Sequence, residues 1–156
     1  MLVKTFIRPA AVGALSYENG IVDKNDCTVR ALANAASMPY TDAHATLKKY
    51  GRKNKHGCAF PIFSAAYGEN GFSLMGVFGT TGAAKYYNAC VKKVSLDVPH
   101  FKGMTVGRAI DELLQVGRYI VLISGHAFAV VNGKIFDTGA ISSAKSVVAI
   151  YKLEEN

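Results

Sequence analysis

The sequence has 156 residues, of which half are apolar and 19% are charged, a composition typical of one globular domain spanning residues 1–156. No apolar run approaches the roughly 20 residues that span a bilayer, so we expect no membrane segment. The N-terminal stretch carries Lys4 and Arg8 without a sustained apolar core, which argues against a secretory signal. The net charge of +7 favours weak attraction to anionic partners.

Three cysteines, Cys27, Cys58 and Cys90, occur at wide and irregular spacing. An odd number of cysteines in such a pattern is not typical of a disulfide framework. No pair of cysteines or histidines has the spacing of metal ligands, so we predict neither a metal site nor another cofactor. Free thiols fit a reducing compartment, and we therefore expect a cytoplasmic protein.

The first half of the chain predicts three helices, each preceded by a capping residue or a proline. They cover residues 27–37 behind Asp26, 42–50 behind Thr41, and 62–70 behind Pro61. In the first helix Val29, Leu32 and Ala36 recur on one face, which indicates an amphipathic helix packed on a core.

The second half favours strands, with one helix predicted at 106–116 behind Thr105. The predicted strands are 72–78, 90–96, 118–124, 126–131, 134–139 and 146–153, and residues 79–89 form a glycine-containing connection. Helices followed mainly by strands indicate an α+β fold, in which N-terminal helices pack on a C-terminal antiparallel sheet.

The most informative local signal is the Asn132-Gly133 pair between two β-runs, which is typical of a two-residue hairpin loop. With this loop, His126 falls opposite Gly139, and Asp137 becomes its diagonal neighbour on the same face, with Cα atoms about 7–8 Å apart. A carboxylate and an imidazole can close that gap to a hydrogen bond. A register shift of one residue would separate them.

A carboxylate on one ring nitrogen of a histidine fixes the tautomer and stabilises the imidazolium, as a catalytic base requires. Most such pairs are structural, so the pair predicts a site only together with a nucleophile. The other histidines, His44, His56 and His100, have no acid placed by a hairpin and are weaker candidates.

Cys27 stands at the predicted start of the first helix, where unpaired backbone N–H groups and the helix dipole stabilise a thiolate. The same N–H groups can donate to an oxyanion. Cys58 is the rival nucleophile, because a helix is predicted to begin shortly after it. The structural alternative is that Cys27 is a small buried apolar residue.

These residues resemble the papain-like cysteine peptidases. The segment NDCTVRALANA resembles their nucleophile helix, and SGHAFAVVNGKIFDTG resembles their histidine hairpin. The likeness extends to compact peptidase domains that remove double-glycine leaders, and to similar small proteins of bacteria and bacteriophages. The resemblance covers 11 residues around Cys27 and 16 around His126.

The resemblance implies a papain-like fold with Cys27 as nucleophile, His126 as general base and Asp137 as the orienting acid. It departs from the family at the oxyanion hole, where a glutamine six residues before the cysteine is usual and Ile21 stands here. Asn25 and Asn19 are the nearby amides that could replace it.

The leading hypothesis is a cysteine-dependent hydrolase or acyl transferase acting on a peptide, isopeptide or amide bond of a peptide or protein substrate. The alternative is a non-catalytic papain-like binding protein, such as a phage-encoded inhibitor in the host cytoplasm. A nucleic-acid binder is the weakest hypothesis, because it rests only on the charge of a basic patch. That patch consists of Lys48, Lys49, Arg52, Lys53 and Lys55.

Overall fold

The computed structural model describes residues 5–6, 25–137 and 141–154. Its helices are α1 (Cys27–Ala36), α2 (Tyr40–Lys49), α3 (Phe60–Glu69), α4 (Gly82–Lys93) and α5 (Val106–Leu113). Its strands are β1 (Thr5–Phe6), β2 (Phe72–Phe78), β3 (His100–Phe101), β4 (Arg118–Ile123), β5 (His126–Val131), β6 (Lys134–Phe136), β7 (Ile141–Ser142) and β8 (Val147–Leu153). The α+β order predicted from the sequence is confirmed: helices first, then a mostly antiparallel sheet.

Six of the described strands form one sheet in the order β3-β2-β8-β4-β5-β6. Only β2 and β3 pair in parallel, and the other neighbours are antiparallel. The short strands β1 and β7 pair with each other in a separate two-stranded sheet. The strand that carries His126, β5, therefore lies near one edge of the large sheet, between β4 and β6.

The large sheet has a hydrophobic core on each face, and alternate residues of β5 belong to different cores. Ala127 and Ala129 pack with α1, α2 and α3 in one core. Phe128 and Val130 pack with α5 in the other. Because both faces of the sheet are covered, the side chains of β4 are almost all apolar and do not alternate between apolar and polar.

Helix α1 is buried around most of its circumference, since it contacts β4, β5 and α2. Its small side chains permit this close packing: Ala31, Ala33 and Ala35 are all at most 1% exposed. The packing fixes the N-terminal end of α1, where Cys27 lies, against the start of β5.

The structure corrects several details of the sequence prediction. Residues 90–93 belong to helix α4 and not to a strand, and α4 also occupies most of the predicted connection. The second helix begins at Tyr40, so Thr41 lies inside it rather than capping it. Asp26 occupies the N-cap position of α1, but its side chain makes no capping hydrogen bond.

Two further observations concern the described residues as a whole. None of the helices in residues 25–137 is both long enough and apolar enough to cross a membrane. The three cysteines are free thiols, and each is half-buried.

Candidate active site

The hairpin between β5 and β6 has the predicted register. Val131 pairs with Lys134 and Val130 with Ile135. Both loop residues have positive φ, 48° at Asn132 and 78° at Gly133, as a two-residue hairpin loop requires. The register therefore follows from a local sequence signal.

The structure brings His126 and Asp137 together. His126 Nε2 lies 2.6 Å from Asp137 Oδ2, and the ring N–H donates to the carboxylate. Asp137 is 4% exposed, so the acid is held inside the protein, while the side chain of His126 is 32% exposed and open on one side. The predicted strand 134–139 was too long, because β6 ends at Phe136 and Asp137 follows it in a bend. The predicted pairing of His126 with Gly139 lies outside the described residues.

Cys27 is the first residue of α1, and it faces the same cavity as His126 and Asp137. The cavity has a volume of about 650 Å³. Apolar side chains of Phe63, Tyr87 and Leu122 form part of its wall. The candidate nucleophile, base and acid therefore line one cavity, and small-molecule sites in proteins are generally concave.

The surroundings of His126 favour its charged form. The hydrogen bond with Asp137, followed by a hydrogen bond with Cys27, raises the pKa of His126 from 6.5 to about 10, although partial burial opposes this. A carboxylate that accepts from an imidazolium stabilises the charge, which explains the direction of the change. His126 therefore carries a proton at neutral pH.

Cys58, the rival nucleophile, faces the same cavity but has a different environment. Burial raises the pKa of its thiol from 9.0 to about 11, and a hydrogen bond with Thr28 and the charge of Arg52 oppose this only in part. A thiol with a raised pKa is a poor nucleophile at neutral pH. The burial of its thiol therefore disfavours Cys58 as a nucleophile.

Of the two amides predicted as oxyanion donors, Asn25 and Asn19, only Asn25 lies within the described residues. Asn25 faces the cavity, and its amide Nδ2 donates to the carbonyl of Lys55 at 3.2 Å. An amide NH₂ has a second hydrogen, so this bond leaves one for another acceptor. Asn25 has a φ of 54°, a left-handed conformation that asparagine tolerates better than most residues. Asn19 and Ile21 lie outside the described residues.

The sequence analysis did not predict a buried network of hydrogen bonds next to Cys27. Asp26 is 5% exposed and accepts hydrogen bonds from Arg30 Nε at 2.9 Å and from the Tyr40 hydroxyl at 2.6 Å. The Tyr67 hydroxyl also donates to the carbonyl of Thr28 at 2.9 Å. The spacing of Asp26 and Arg30, four residues apart on a helix, was the available signal. These bonds hold the first turn of α1, and therefore Cys27, in place.

The other histidines do not line this cavity. His44 contacts Asn54 at 3.3 Å, and His100 Nε2 lies 2.6 Å from the carbonyl of Gly79. His56 is exposed. Within the described residues, no group of three or more His, Cys, Asp or Glu side chains is placed to hold a metal ion.

Comparisons of this chain with protein-family models, with curated proteins and with solved structures found no match. The interpretation of the site therefore depends on its own geometry.

Proposed function

We propose that the protein is a cysteine-dependent hydrolase or acyl transferase that acts on a peptide, isopeptide or amide bond. Cys27 is its nucleophile, His126 its acid and base, and Asp137 the residue that orients His126. The observation that carries the proposal is the 2.6 Å contact of His126 with Asp137 in the cavity that also contains Cys27 at the start of α1.

In the proposed reaction the proton of Cys27 is already on His126, and the Cys27 thiolate attacks the carbonyl carbon of the substrate and forms a tetrahedral intermediate. The intermediate collapses, the C–N bond breaks, and the imidazolium of His126 gives its proton to the leaving amine. The product is a thioester on Cys27. Neutral His126 then takes a proton from water or another nucleophile, which attacks the thioester and releases the acid or the transferred acyl group.

Charge develops on the carbonyl oxygen during the attack and needs hydrogen-bond donors. The backbone N–H of Cys27, at the N-terminus of α1, is the first such donor in this proposal. The second hydrogen of the Asn25 amide is the other, and Asn19 is its alternative.

A papain-like architecture is part of the proposal. It is supported by the order of elements, with a buried helix that begins at Cys27 and a later antiparallel hairpin that carries His126 and Asp137. A cytoplasmic location is also proposed, and the three free thiols support it.

One observation favours a second candidate, a papain-like protein that binds a partner without catalysis. The Asn25 amide already bonds the Lys55 carbonyl, so its role in an oxyanion hole would be secondary to a structural one. In such a protein, Cys27 and His126 would form part of a binding surface.

The test uses a diverse peptide library analysed by mass spectrometry, with and without hydroxylamine. New peptide termini report hydrolysis, a mass increase on Gln or Asn reports deamidation, and hydroxamates report capture of an acyl-enzyme. We expect products with the wild-type protein and with the Cys90→Ala control, and none with Cys27→Ala. Products that persist with Cys27→Ala would exclude the proposed nucleophile, and a wild-type protein with no product of any kind would favour the binding protein.

A further inference from the structure

Two of the three cysteines line the same cavity. Cys27 is the first residue of α1, and Cys58 lies in the segment between α2 and α3. Both line the cavity that also contains His126, and both pack against the same hydrophobic core. Cys90, in α4, packs against that core as well but does not line the cavity. The fold therefore brings one particular pair of thiols to a shared space.

Shared neighbours place the two thiols near each other at the start of α1. The side chain of Thr28, the residue after Cys27, interacts with the thiol of Cys58. The hydroxyl of buried Tyr67 donates to the Thr28 carbonyl at 2.9 Å. Burial, followed by the charges of Cys27 and Cys58, raises the pKa of this hydroxyl well above its ordinary value. Because both thiols act on the same hydroxyl group, they lie around one point of the fold.

Cys58 has room to approach Cys27. It lies outside the two flanking helices, whereas Cys27 is held by the first turn of α1. A side chain added at the neighbouring Gly57 would meet nothing within 4 Å, so the chain before Cys58 is loosely packed. An approach of the two Cβ atoms to the roughly 3.8 Å of a disulfide therefore requires movement of an irregular segment and not of a helix.

The two thiols differ in the chemistry that their surroundings favour. Cys27 hydrogen-bonds His126, whose charged ring stabilises a thiolate, and a thiolate is the form that a hydroperoxide oxidises to a sulfenic acid. Burial raises the pKa of Cys58 to about 11, so this thiol stays protonated and is not the first target of the oxidant. The charge of Cys27 adds to that increase. This contribution ends when Cys27 becomes an uncharged sulfenic acid.

We propose that Cys58 is a resolving cysteine, which converts a sulfenic acid on Cys27 into a reversible disulfide and so protects Cys27 from irreversible oxidation. The oxidant is a hydroperoxide. Formation of the disulfide requires no attack on a peptide or amide bond, and only the accompanying loss of activity rests on the proposed function. A transient disulfide of this kind is the usual form of disulfide in a reducing compartment, which agrees with the proposed cytoplasmic location.

The proposed oxidation has two steps. The Cys27 thiolate attacks one oxygen of the hydroperoxide, the O–O bond breaks, and the released alkoxide or hydroxide takes the proton of His126. The Cys58 sulfur then attacks the Cys27 sulfur, the S–O bond breaks, and the proton of Cys58 leaves with the hydroxide as water. This second attack is intramolecular, and the proximity compensates for the low thiolate fraction of Cys58. Two electrons pass from the two sulfurs to the peroxide, and a thiol reductant returns them.

Peptide mapping of the native protein is the first test. The reduced wild type is treated with a small excess of hydrogen peroxide, its remaining thiols are blocked with N-ethylmaleimide, and it is digested without reductant for mass spectrometry. We expect one linked pair of peptides, containing Cys27 and Cys58, with Cys90 blocked by the maleimide. A linkage to Cys90, a linkage between two molecules, or the absence of any linkage would overturn the proposal.

Urea-unfolded protein is the matched reference for this experiment. Cys58 lies almost midway along the chain between Cys27 and Cys90, so the entropy of loop closure favours both pairings of Cys58 about equally. Oxidation in urea should therefore give both linked pairs in similar amounts. In the folded protein we expect the pair of Cys27 and Cys58 to exceed the other at least about tenfold. A native preference no greater than the preference in urea would show that the fold does not direct the pairing.

Substitutions test the protective role of Cys58. After peroxide and then dithiothreitol, the wild type and the matched control Cys90→Ser should recover the Cys27 thiol. Cys58→Ser should recover at least about fivefold less, because its sulfenic acid proceeds to the irreversible sulfinic and sulfonic acids. Equal recovery in the three proteins would contradict the role of Cys58. The mapping of the wild type decides the question even where Cys58→Ser does not fold.

The peptide library separates this proposal from the proposed function. A disulfide between Cys27 and Cys58 in a protein that gives no library product would support the resolving cysteine and contradict the enzyme. Products without such a disulfide would do the reverse. Products from the fully cross-linked protein would contradict Cys27 as the nucleophile. Loss of products on oxidation and their return with dithiothreitol, in the wild type and in Cys90→Ser, would support both proposals.

Discussion

Asp137→Asn is the substitution that isolates the contribution of the acid to the site. The amide has almost the size and shape of the carboxylate, so the fold should persist. The hydrogen bond with the Asp137 carboxylate is the main reason that the pKa of His126 is raised to about 10, and the substitution replaces it with a weaker bond to a neutral amide. We expect this pKa to fall toward the ordinary value of 6.5, with part of the increase retained through Cys27.

The expected free-energy cost follows from the contact that changes. A hydrogen bond between charged groups contributes about 1.5–3 kcal/mol, and a neutral one contributes about 1 kcal/mol. Because the amide oxygen can still accept from His126, we expect Asp137→Asn to lose about 1–2 kcal/mol of unfolding free energy at neutral pH. Turnover should fall at least about tenfold, since the amide can also favour the wrong histidine tautomer.

NMR titration of the histidine ring signals measures the first effect directly. His44, His56 and His100 serve as internal controls, because none of them lines the cavity that contains Asp137. Urea denaturation at neutral pH measures the second effect. A folded Asp137→Asn protein whose His126 titrates as in the wild type would refute the reasoning.

Three further predictions concern stability. The fold raises the pKa of His126 from 6.5 to about 10, so the protonated ring stabilises the fold fully below about pH 6.5. This stabilisation is lost as the pH rises to about 10. Urea denaturation across this range should show the decline in the wild type and a smaller decline in His126→Gln. Tyr40→Phe removes a 2.6 Å hydrogen bond to buried Asp26 and should lower the free energy of unfolding by about 2 kcal/mol, measured by urea denaturation. An unchanged urea midpoint would show that this hydrogen bond contributes nothing to stability. Gly133→Ala places a side chain at a residue with a φ of 78° and should lower the free energy of unfolding by about 1–2 kcal/mol. In the control variant Gly57→Ala the added methyl group enters open space, so the melting temperature should change little. Equal effects of the two substitutions would contradict the hairpin argument.

Short sequence motifs were sufficient to predict the turn between β5 and β6 and the start of α5. The Asn132-Gly133 loop determined the register that brings Asp137 to His126. Thr105 caps α5, as predicted, by accepting from the backbone N–H of Arg108. In both cases a few adjacent residues determine the backbone geometry, so no tertiary information was needed.

The wrong strand at 90–96 shows where local patterns are ambiguous. A short apolar pattern such as CVKKVSL fits a strand, but Ala84 and Val91 are buried on one helix face, seven residues apart. The overlooked signal was Thr81, whose hydroxyl caps α4 by accepting from the Ala84 N–H at 3.2 Å. Residues 90–93 form a helix because α4 packs its buried face against the sheet.

The remainder of the candidate site depends on tertiary contacts. Phe63 and Tyr87 come from α3 and α4 and meet Leu122 of the sheet at the cavity. Arg52 reaches Asn25 across 27 residues of sequence. No local pattern places such residues together, and so the cavity wall and the contact of Arg52 with Asn25 could be found only from the structure.

The most direct test of the central claim is the rate at which each cysteine reacts with iodoacetamide at mildly acidic pH, followed by mass spectrometry. An ordinary thiol there is ionised to less than about 1%, so rapid labelling marks a thiolate held by a neighbouring positive charge. The account predicts that Cys27 is labelled well before Cys58 and Cys90, and that His126→Ala removes its advantage. Equal labelling of the three native cysteines, or fastest labelling of Cys58, would contradict it.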